Sequence, residues 1–387
     1  MTASFLGWTM DAFDFFVIVF LFDALAAHFN VSKQTIIGTL AWTLLMRPVG
    51  AFIFGLLADR FGRRKILMAN VIFFSIVECL CGFAPNFKIF LVLRILYGIG
   101  MGGEWGISAA LAMEMAPEKK RGLLSGILQN GYAIGYLLAA LAYWIAFPVW
   151  GWRGMFFLGG TPAVLALYVR SMVPESRAWK QHHASSFEGI LKTFSLHWKT
   201  VVYLVFFMTL MLCLSHGTQD MYPDFLKSVH SFGNGAVTSV IILGNLGAIA
   251  GGILFGQLSQ TLGRRYALIA ALVVAIVVIP LWAFGNSLAI LMLGSFLMQV
   301  GVQGAWGIVP VHLNELSPSA ARGMVPGLSY QLGIVFAART PLIEFQLKSY
   351  FNYPWAMTIF ELVVITLLIG IVLWGPERHG RDFTQDT

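Results

Sequence analysis

GMGGEWGISAALAMEMAPEKKRG, residues 100–122, and GVQGAWGIVPVHLNELSPSAARG, residues 301–323, align without a gap at an offset of 201, with nine of 23 positions identical. The same register sets Gly55 on Gly256, and Gly62, Arg63 and Arg64 on Gly263, Arg264 and Arg265. Two separate segments in one register, matched at Trp, Glu, Pro and Arg as well as Gly, describe a chain built from two related halves in parallel orientation. The surrounding sequence says what those halves are made of. Of 387 residues 58% are hydrophobic and 11% charged, against roughly a quarter charged in a soluble domain, and the mean hydropathy is +0.77. Such a composition excludes a soluble single-core enzyme and describes a polytopic membrane protein. The 40 Gly and 32 Phe suit helices that must hold together by close packing without water.

Apolar runs of about 20 residues, enough to cross roughly 30 Å of hydrocarbon, occur at 4–27, 35–57, 66–84, 88–112, 122–146 and 152–172, and again at 199–221, 235–258, 266–285, 288–313, 324–346 and 355–375. The longest polar stretch, Pro174 to Trp198, carries Glu175, Arg177, Lys180, His182, His183, Glu188 and Lys192 and reads as a linker. The expected fold is therefore all-α, twelve transmembrane helices in two pseudo-symmetric six-helix bundles, residues 1–173 and 199–387, with a linker at 174–198. Counted by alternate loops, 17 Lys and Arg lie on the side of the linker and the C-terminus and five on the other, with Arg47, Arg94 and Arg339 inside apolar runs. The positive-inside rule then puts both termini and the linker in the cytoplasm, so the net charge of +7 is a topology signal rather than a nucleic-acid one.

Met1 is followed at once by an apolar run with no basic n-region or cleavage site, so the first helix is expected to be retained. Basic residues normally precede such a helix, which leaves open a further N-terminal tail. Cys79, Cys81 and Cys213 lie in apolar runs without CxxC spacing and are expected to be buried, unpaired thiols. The glycines at 98, 100, 102 and 103 lie within an apolar span rather than after a strand, which points to helix packing and not to a phosphate cradle. With no catalytic triad, metal cluster or nucleotide loop, neither an enzyme nor a cofactor is expected.

GLLADRFGRRK, Gly55 to Lys65, matches at every motif position the loop between helices 2 and 3 of the major facilitator superfamily, and GQLSQTLGRR, Gly256 to Arg265, resembles a degenerate copy with Gln260 in place of the acid. The resemblance covers essentially the whole chain and implies the major facilitator fold. It also implies a cytoplasmic gate from Gly55, Asp59, Arg60, Gly62, Arg63, Arg64 and Arg121. Gly62 would permit the tight turn, while Asp59 would cap a neighbouring helix N-terminus and pair with arginine. A narrower pattern, SHGTQD from Ser215 to Asp220, together with GWTMDAFDFF at Gly7 to Phe16 and EWG at Glu104 to Gly106, resembles the sialate and lactate proton symporters, which include fungal monocarboxylate permeases. That helix-7 signature usually carries Asn four residues before the His and Thr four after the Asp, where this chain has Leu212 and Asp224. Bacterial sialate transporters of this group carry extra spans between the halves. The 25 residues from Pro174 to Trp198 cannot supply two, so length favours a small monocarboxylate.

An ionisable residue inside a span is a functional candidate because its burial costs several kcal/mol unless it is paired or faces water. Arg47, before Pro48 near the middle of the second run, suits a carboxylate, since guanidinium offers two parallel hydrogen bonds at any relevant pH. The plain alternative is a structural pair with Asp11 or Asp14. Arg339 is the corresponding candidate in the second half, its plain partner Glu344 or a first-helix acid. His216, Gln219 and Asp220 share a helical face at i, i+3 and i+4, suiting a proton relay beside substrate, or merely a polar cluster ending the helix before Pro223. Asp11 and Asp14 share a face and would repel if both were ionised, and Glu104 faces Ala305 at the 201 offset. These three are further proton-site candidates, with packing as the plain account. For Arg94, snorkelling to the outer interface is the expectation.

The reading is a secondary transporter carrying a small monocarboxylate such as lactate or pyruvate with a proton as the coupling ion, working by alternating access. It is expected in the bacterial inner membrane, acting as a monomer, with the lipid bilayer and a small organic anion as its only partners. Arg47, Arg339, His216 and Gln219 would bind substrate, and Asp220, His216, Asp14, Glu104 and Asp11 would carry the proton. Its rivals are a symporter for a larger acid such as sialate or an aromatic acid, a substrate sensor that does not transport, and an efflux antiporter. The antiporter is disfavoured by a fifth run with Gly126, Gly131 and Gly135 but no Gly-Pro pair.

Overall fold

The computed structural model describes residues 1–164, 173–182 and 186–384. Its helices are α1 (Thr2–Phe20), α2 (Phe22–Phe29), α3 (Lys33–Phe61), α4 (Arg63–Gly82), α5 (Phe87–Met115), α6 (Arg121–Gln129), α7 (Gly131–Leu158), α8 (Arg177–His182) and α9 (Phe187–Leu196), then α10 (Trp198–Gln219), α11 (Tyr222–Ser228), α12 (Asn234–Leu262), α13 (Arg264–Ala283), α14 (Leu288–Leu316), α15 (Val325–Ala337), α16 (Thr340–Tyr350) and α17 (Tyr353–Trp374). The offset read from the two quoted segments governs the helix ends as well. α12, α13 and α14 begin and end 201 residues after α3, α4 and α5.

The local chemistry behind that repetition is legible. Gly62 and Gly263 both hold positive φ, 112° and 84°, which lets the chain turn within one residue from α3 into α4 and from α12 into α13. Asn86 and Ser287 cap α5 and α14, their side chains accepting the backbone N–H of Ile89 and Ile290. Trp144, Val149, Phe206 and Trp374 are among many large apolar side chains left exposed, as expected of surfaces that face lipid.

Among the described residues eight helical runs are long and apolar enough to cross a membrane, or nine with the bent α1–α2 pair. One of them, Glu118–Val164, has 47 residues, about 70 Å at 1.5 Å per residue and twice the hydrocarbon core. Gly151, at φ 61°, breaks it where the sequence expects the fifth span to give way to the sixth, whose later part lies outside the described residues. α5, with Arg94 and Glu104, and the broken α15–α16, with Arg339 and Glu344, fall short of that apolarity and complete the twelve spans.

The structure revises several expected limits. The first span bends by 57° between α1 and α2. The eleventh breaks at Ala338 and Arg339, where Pro341 starts a new helix, so Arg339 caps α16 instead of lying within a helix. The linker carries two short helices, α8 and α9, and the end of the sixth span and His183 lie outside the described residues. Cys81 is buried as expected, but Cys79 and Cys213 are only half-buried.

Candidate functional site

Close backbone approach brings the halves together at the end of the molecule that carries the basic loops. A Cβ on Gly126 of α6 would strike the Gly252 carbonyl of α12, and one on Gly106 of α5 would lie 2.6 Å from Gly327 Cα of α15. The gate motif closes this end. Asp59 Oδ1 accepts the Gly323 N–H (2.7 Å) and Oδ2 the Met324 N–H (3.0 Å), capping the start of α15 across the interface. Arg63 holds the same carboxylate and reaches Glu114 (3.4 Å), which Arg322 meets from the other half (3.3 Å).

A mirror image stands 201 residues on. Gln260 Oε1 accepts the Gly122 N–H at the start of α6 (3.0 Å), Arg264 forks onto Glu315 with two bonds of 2.9 Å, and Arg121 approaches Glu315 at 3.9 Å. Glu175 and Glu377 cap the starts of α4 and α13 in the same way. Of the other gate residues, Gly55 lets Met324 approach (2.6 Å from a Cβ placed there), Arg60 lies over the Phe61 ring, and Arg64 donates its backbone N–H to Glu175. The C-terminal segment sits on the double latch. Phe383, 2% exposed, lies 4.1 Å from the Arg121 guanidinium and 4.2 Å from that of Arg322, and Arg381 donates to the carbonyls of Glu315 and Ser317.

Above the latch an aromatic cluster joins the halves. Tyr330 of α15 stacks on Trp105 (4.6 Å) and meets Trp8 and Trp306 edge-on (6.3 and 5.9 Å), while Trp8 stacks on Tyr132 (5.5 Å). The indole N–H groups of Trp8, Trp105 and Trp306 are buried without an acceptor. Arg47 stands on α3, which packs against α5 and α15, the helices that carry Trp105 and Tyr330. It is 4% exposed, and its Nε and Nη2 are without a partner. Among the described residues it makes no ion pair with Asp11 or Asp14, so the structural pairing weighed from sequence is not made.

The structure gathers Asp11, Asp14, Arg47 and Glu104 in one buried polar core of the first half, with the carboxylates of all three acids lacking hydrogen bonds. Glu104 points at Gly7 of α1, where a Cβ would come within 2.5 Å of its Oε1. Gly98 and Gly102 admit the backbone of α3 at Thr43 and Arg47, which fixes the packing of α3 on α5. Arg94 does not snorkel. It is fully buried, pairs with Glu78 of α4 at 2.7 Å and lies over the Tyr97 ring, because a cation held at this depth needs a local carboxylate. Glu78 went unnoticed in the sequence, although an acid in the middle of an apolar run was signal enough.

Across the interface His216 Nδ1 lies 2.9 Å from Asp220 Oδ2, both side chains part-exposed at 37% and 40%. Gln219 donates to Ser215 Oγ (3.2 Å) and Gln299 Oε1 (3.1 Å). Arg339 is exposed and forms no ion pair with Glu344 or with an α1 acid among the described residues, so the structure does not bring it to the cluster. Leu212 packs against Gly333 of α15, and Asp224 accepts from Tyr353 (2.9 Å) and meets Lys348 (3.5 Å).

Compared with known proteins, residues 4–338 match the family described as the Major Facilitator Superfamily. The chain is 29% identical to a carboxylic acid transporter protein homolog of Saccharomyces cerevisiae, covering 99% of this chain and 68% of the yeast protein. It is 27% identical to the sialic acid transporter NanX of Escherichia coli, covering 98% and 94%. Among solved structures the proton:xylose symporter XylE superposes with a TM-score of 0.78 at 20% identity over 99% of this chain and 96% of that one, a likeness of fold.

Proposed function

The chain belongs to the Major Facilitator Superfamily, a multi-pass membrane transporter and not an enzyme, and from that premise we propose that it is a proton-coupled symporter of a small monocarboxylate such as lactate or pyruvate. The observation that carries the reading is Arg47, a buried guanidinium in a membrane span with two partnerless nitrogens. A fixed cation with free N–H donors is complementary to a carboxylate, which takes two parallel bonds from the guanidinium, and the buried acids gathered with it, Asp11, Asp14 and Glu104, suit such an anion once they are protonated. The names of the relatives, a carboxylic acid transporter homolog and a sialic acid transporter, support an organic acid.

Proton coupling rests on charge. The first half buries Asp11, Asp14, Glu78 and Glu104 against Arg47 and Arg94, and carboxylates in excess of cations at this depth are neutralised by protons. His216 and Asp220, part-exposed, connect the core to water. We take both termini and the linker at 174–198 as cytoplasmic on the count of basic residues by loop, with bundles at 1–173 and 199–387 and the monomer as the working unit. The latched end is then the inner one, and substrate enters from outside.

A larger acid is the second reading. The length argument against sialate fails, because the sialic acid transporter from E. coli matches over 94% of its own length and so has no room for extra spans between the halves. Labelled lactate uptake into proteoliposomes under an inward proton gradient, with unlabelled carboxylates as competitors, tests both readings. Protonophore-sensitive accumulation competed by pyruvate, and lost in Arg47→Ala, is expected. Accumulation competed by sialate but not by millimolar lactate moves the substrate, and binding without uptake refutes transport.

A further inference from the structure

The second half contains a buried acid cluster that the reading above does not use. Glu361 of α17 is 0% exposed and Glu344 of α16 is 2% exposed, and none of their four carboxyl oxygens has a hydrogen-bond partner. The hydroxyl of Thr358, 3% exposed, is equally without a partner, and that of Thr340, 1% exposed, has only the Cys213 thiol of α10 beside it. Glu361 reaches α10 because residue 217 is glycine; any Cβ there would collide with its Oε1. The glycine lies inside SHGTQD, immediately after His216.

The groups that face this cluster include no lysine or arginine among the described residues, and the one imidazole, His216, is turned to Asp220 at 2.9 Å. α10 contributes Cys213, His216 and Asp220, α16 contributes Glu344, and the stretch of α13 against α17 is apolar. Lys348 is engaged by Asp224 and the Tyr353 ring nearer the helix end. Asp220, the C-cap of α10, and Glu344 of α16 stand on helices that pack against each other and against the α17 that carries Glu361, and burial rises from Asp220, 40% exposed, to Glu344 and Glu361, 2% and 0% exposed. Two carboxylates in mutual range without a counter-cation cannot both stay ionised, and a carboxyl that takes up a proton becomes a donor for the waiting hydroxyls.

We propose that Glu361, reached through Glu344 from Asp220, is a second proton-binding site, so that two protons accompany each substrate, one in each half. The proposal rests on the proton-coupled reading and deepens it. Its chemistry is simple protonation: the proton comes from water through Asp220, leaves by the same oxygens when the bundles rock, and α10 carries the coupling because Glu361 lies against it.

The test compares wild type with Glu361→Gln in proteoliposomes, recording proton and substrate fluxes together and lactate counterflow separately. In the variant the proton-to-substrate ratio is expected to fall by one. The limiting accumulation at a gradient of one pH unit should then fall about tenfold, since each coupled proton contributes one decade per pH unit, while counterflow persists. A wild type that moves no protons removes the proton-coupled reading itself. A wild type that moves them, with an unchanged ratio in the variant, overturns this inference alone. A hydrophobic carbodiimide, which adds to protonated carboxyls, probes the native chain without any variant: an adduct on Glu361 that weakens as pH rises is expected. The absence of that adduct, or its suppression by Na⁺ at constant pH, overturns the proposal and in the latter case assigns the oxygens to a metal cation.

Discussion

Replacing Asp59 by Asn should open the latched end far more than removing its mirror residue Gln260. Asp59 accepts two backbone N–H groups across the interface, at 2.7 and 3.0 Å, and sits at a helix start. Hydrogen bonds to a charged group are worth about 1.5–3 kcal/mol each, and the helix terminus adds about 0.3–1 kcal/mol. Asn keeps one acceptor oxygen and loses the charge, so a net loss of about 3 kcal/mol follows, a shift of roughly 100-fold towards the open end. Gln260 carries no charge of its own: it accepts the Gly122 N–H, donates to the Glu118 carbonyl, and takes only long contacts of 3.4 and 3.5 Å from Arg264, which keeps its fork on Glu315 without it. At about 0.5–1.5 kcal/mol each, Gln260→Ala should shift the balance by about tenfold. Spin labels at Phe61 and Leu262, exposed and related by the 201 offset, report the separation of α3 and α12 at that end. The comparison is made in protein with its three native cysteines replaced. Equal shifts from the two variants, or an unchanged distance distribution in Asp59→Asn, would refute the claim that the charged cap holds the latch.

Glu78→Gln leaves Arg94 buried without a carboxylate and should cost about 3–5 kcal/mol of stability, read as a lower unfolding temperature in detergent. The double change Glu78→Leu with Arg94→Met should recover most of it. Gly126→Leu forces a side chain onto the Gly252 carbonyl, and the same spin labels should then report a persistently open end, with uptake reduced and ligand binding retained. Phe383→Ala removes a buried ring from between two guanidinium groups, contacts of about 0.5–2 kcal/mol each. Residues 376–384 should become cleavable by added protease, whereas an unchanged digestion pattern would show that Glu377 and Arg381 hold the segment without the ring.

Much of the fold could be read because the repeat is exact in its spacing. An alignment of 23 residues set an offset that the ends of six helices and both turn glycines obey. The gate was legible for the same reason: a short motif with a turn glycine, an acid and two arginines has few other uses at the end of a membrane helix. What escaped depends on partners distant in sequence. Arg94 looked like an outer-interface residue because its depth is set by Glu78, on another helix. Arg339 was assigned to a helix interior although Pro341, two residues on, marks a helix start. The bend at Leu21 has neither Pro nor Gly to announce it, and the Tyr330 cluster exists only because the latch brings Trp8, Trp105 and Trp306 together.

The repeat also separates charges that serve the scaffold from charges that do not. Arg63, Glu114 and Arg121 reappear as Arg264, Glu315 and Arg322, and each copy makes the corresponding contact at the same end. Arg47, Glu78, Arg94 and Glu104 fall instead on Ala248, Ile279, Ser295 and Ala305 at the same offset. Since α12, α13 and α14 have the lengths and ends of α3, α4 and α5 without those charges, the architecture does not need them. Buried ionisable groups that cost several kcal/mol, and that half of the molecule folds without, require a reason outside folding. An anion for Arg47 and protons for the surplus carboxylates supply one. The second half's own acids, Glu344 and Glu361, obey the same logic, for their offset positions in the first half are Tyr143 and Gly160.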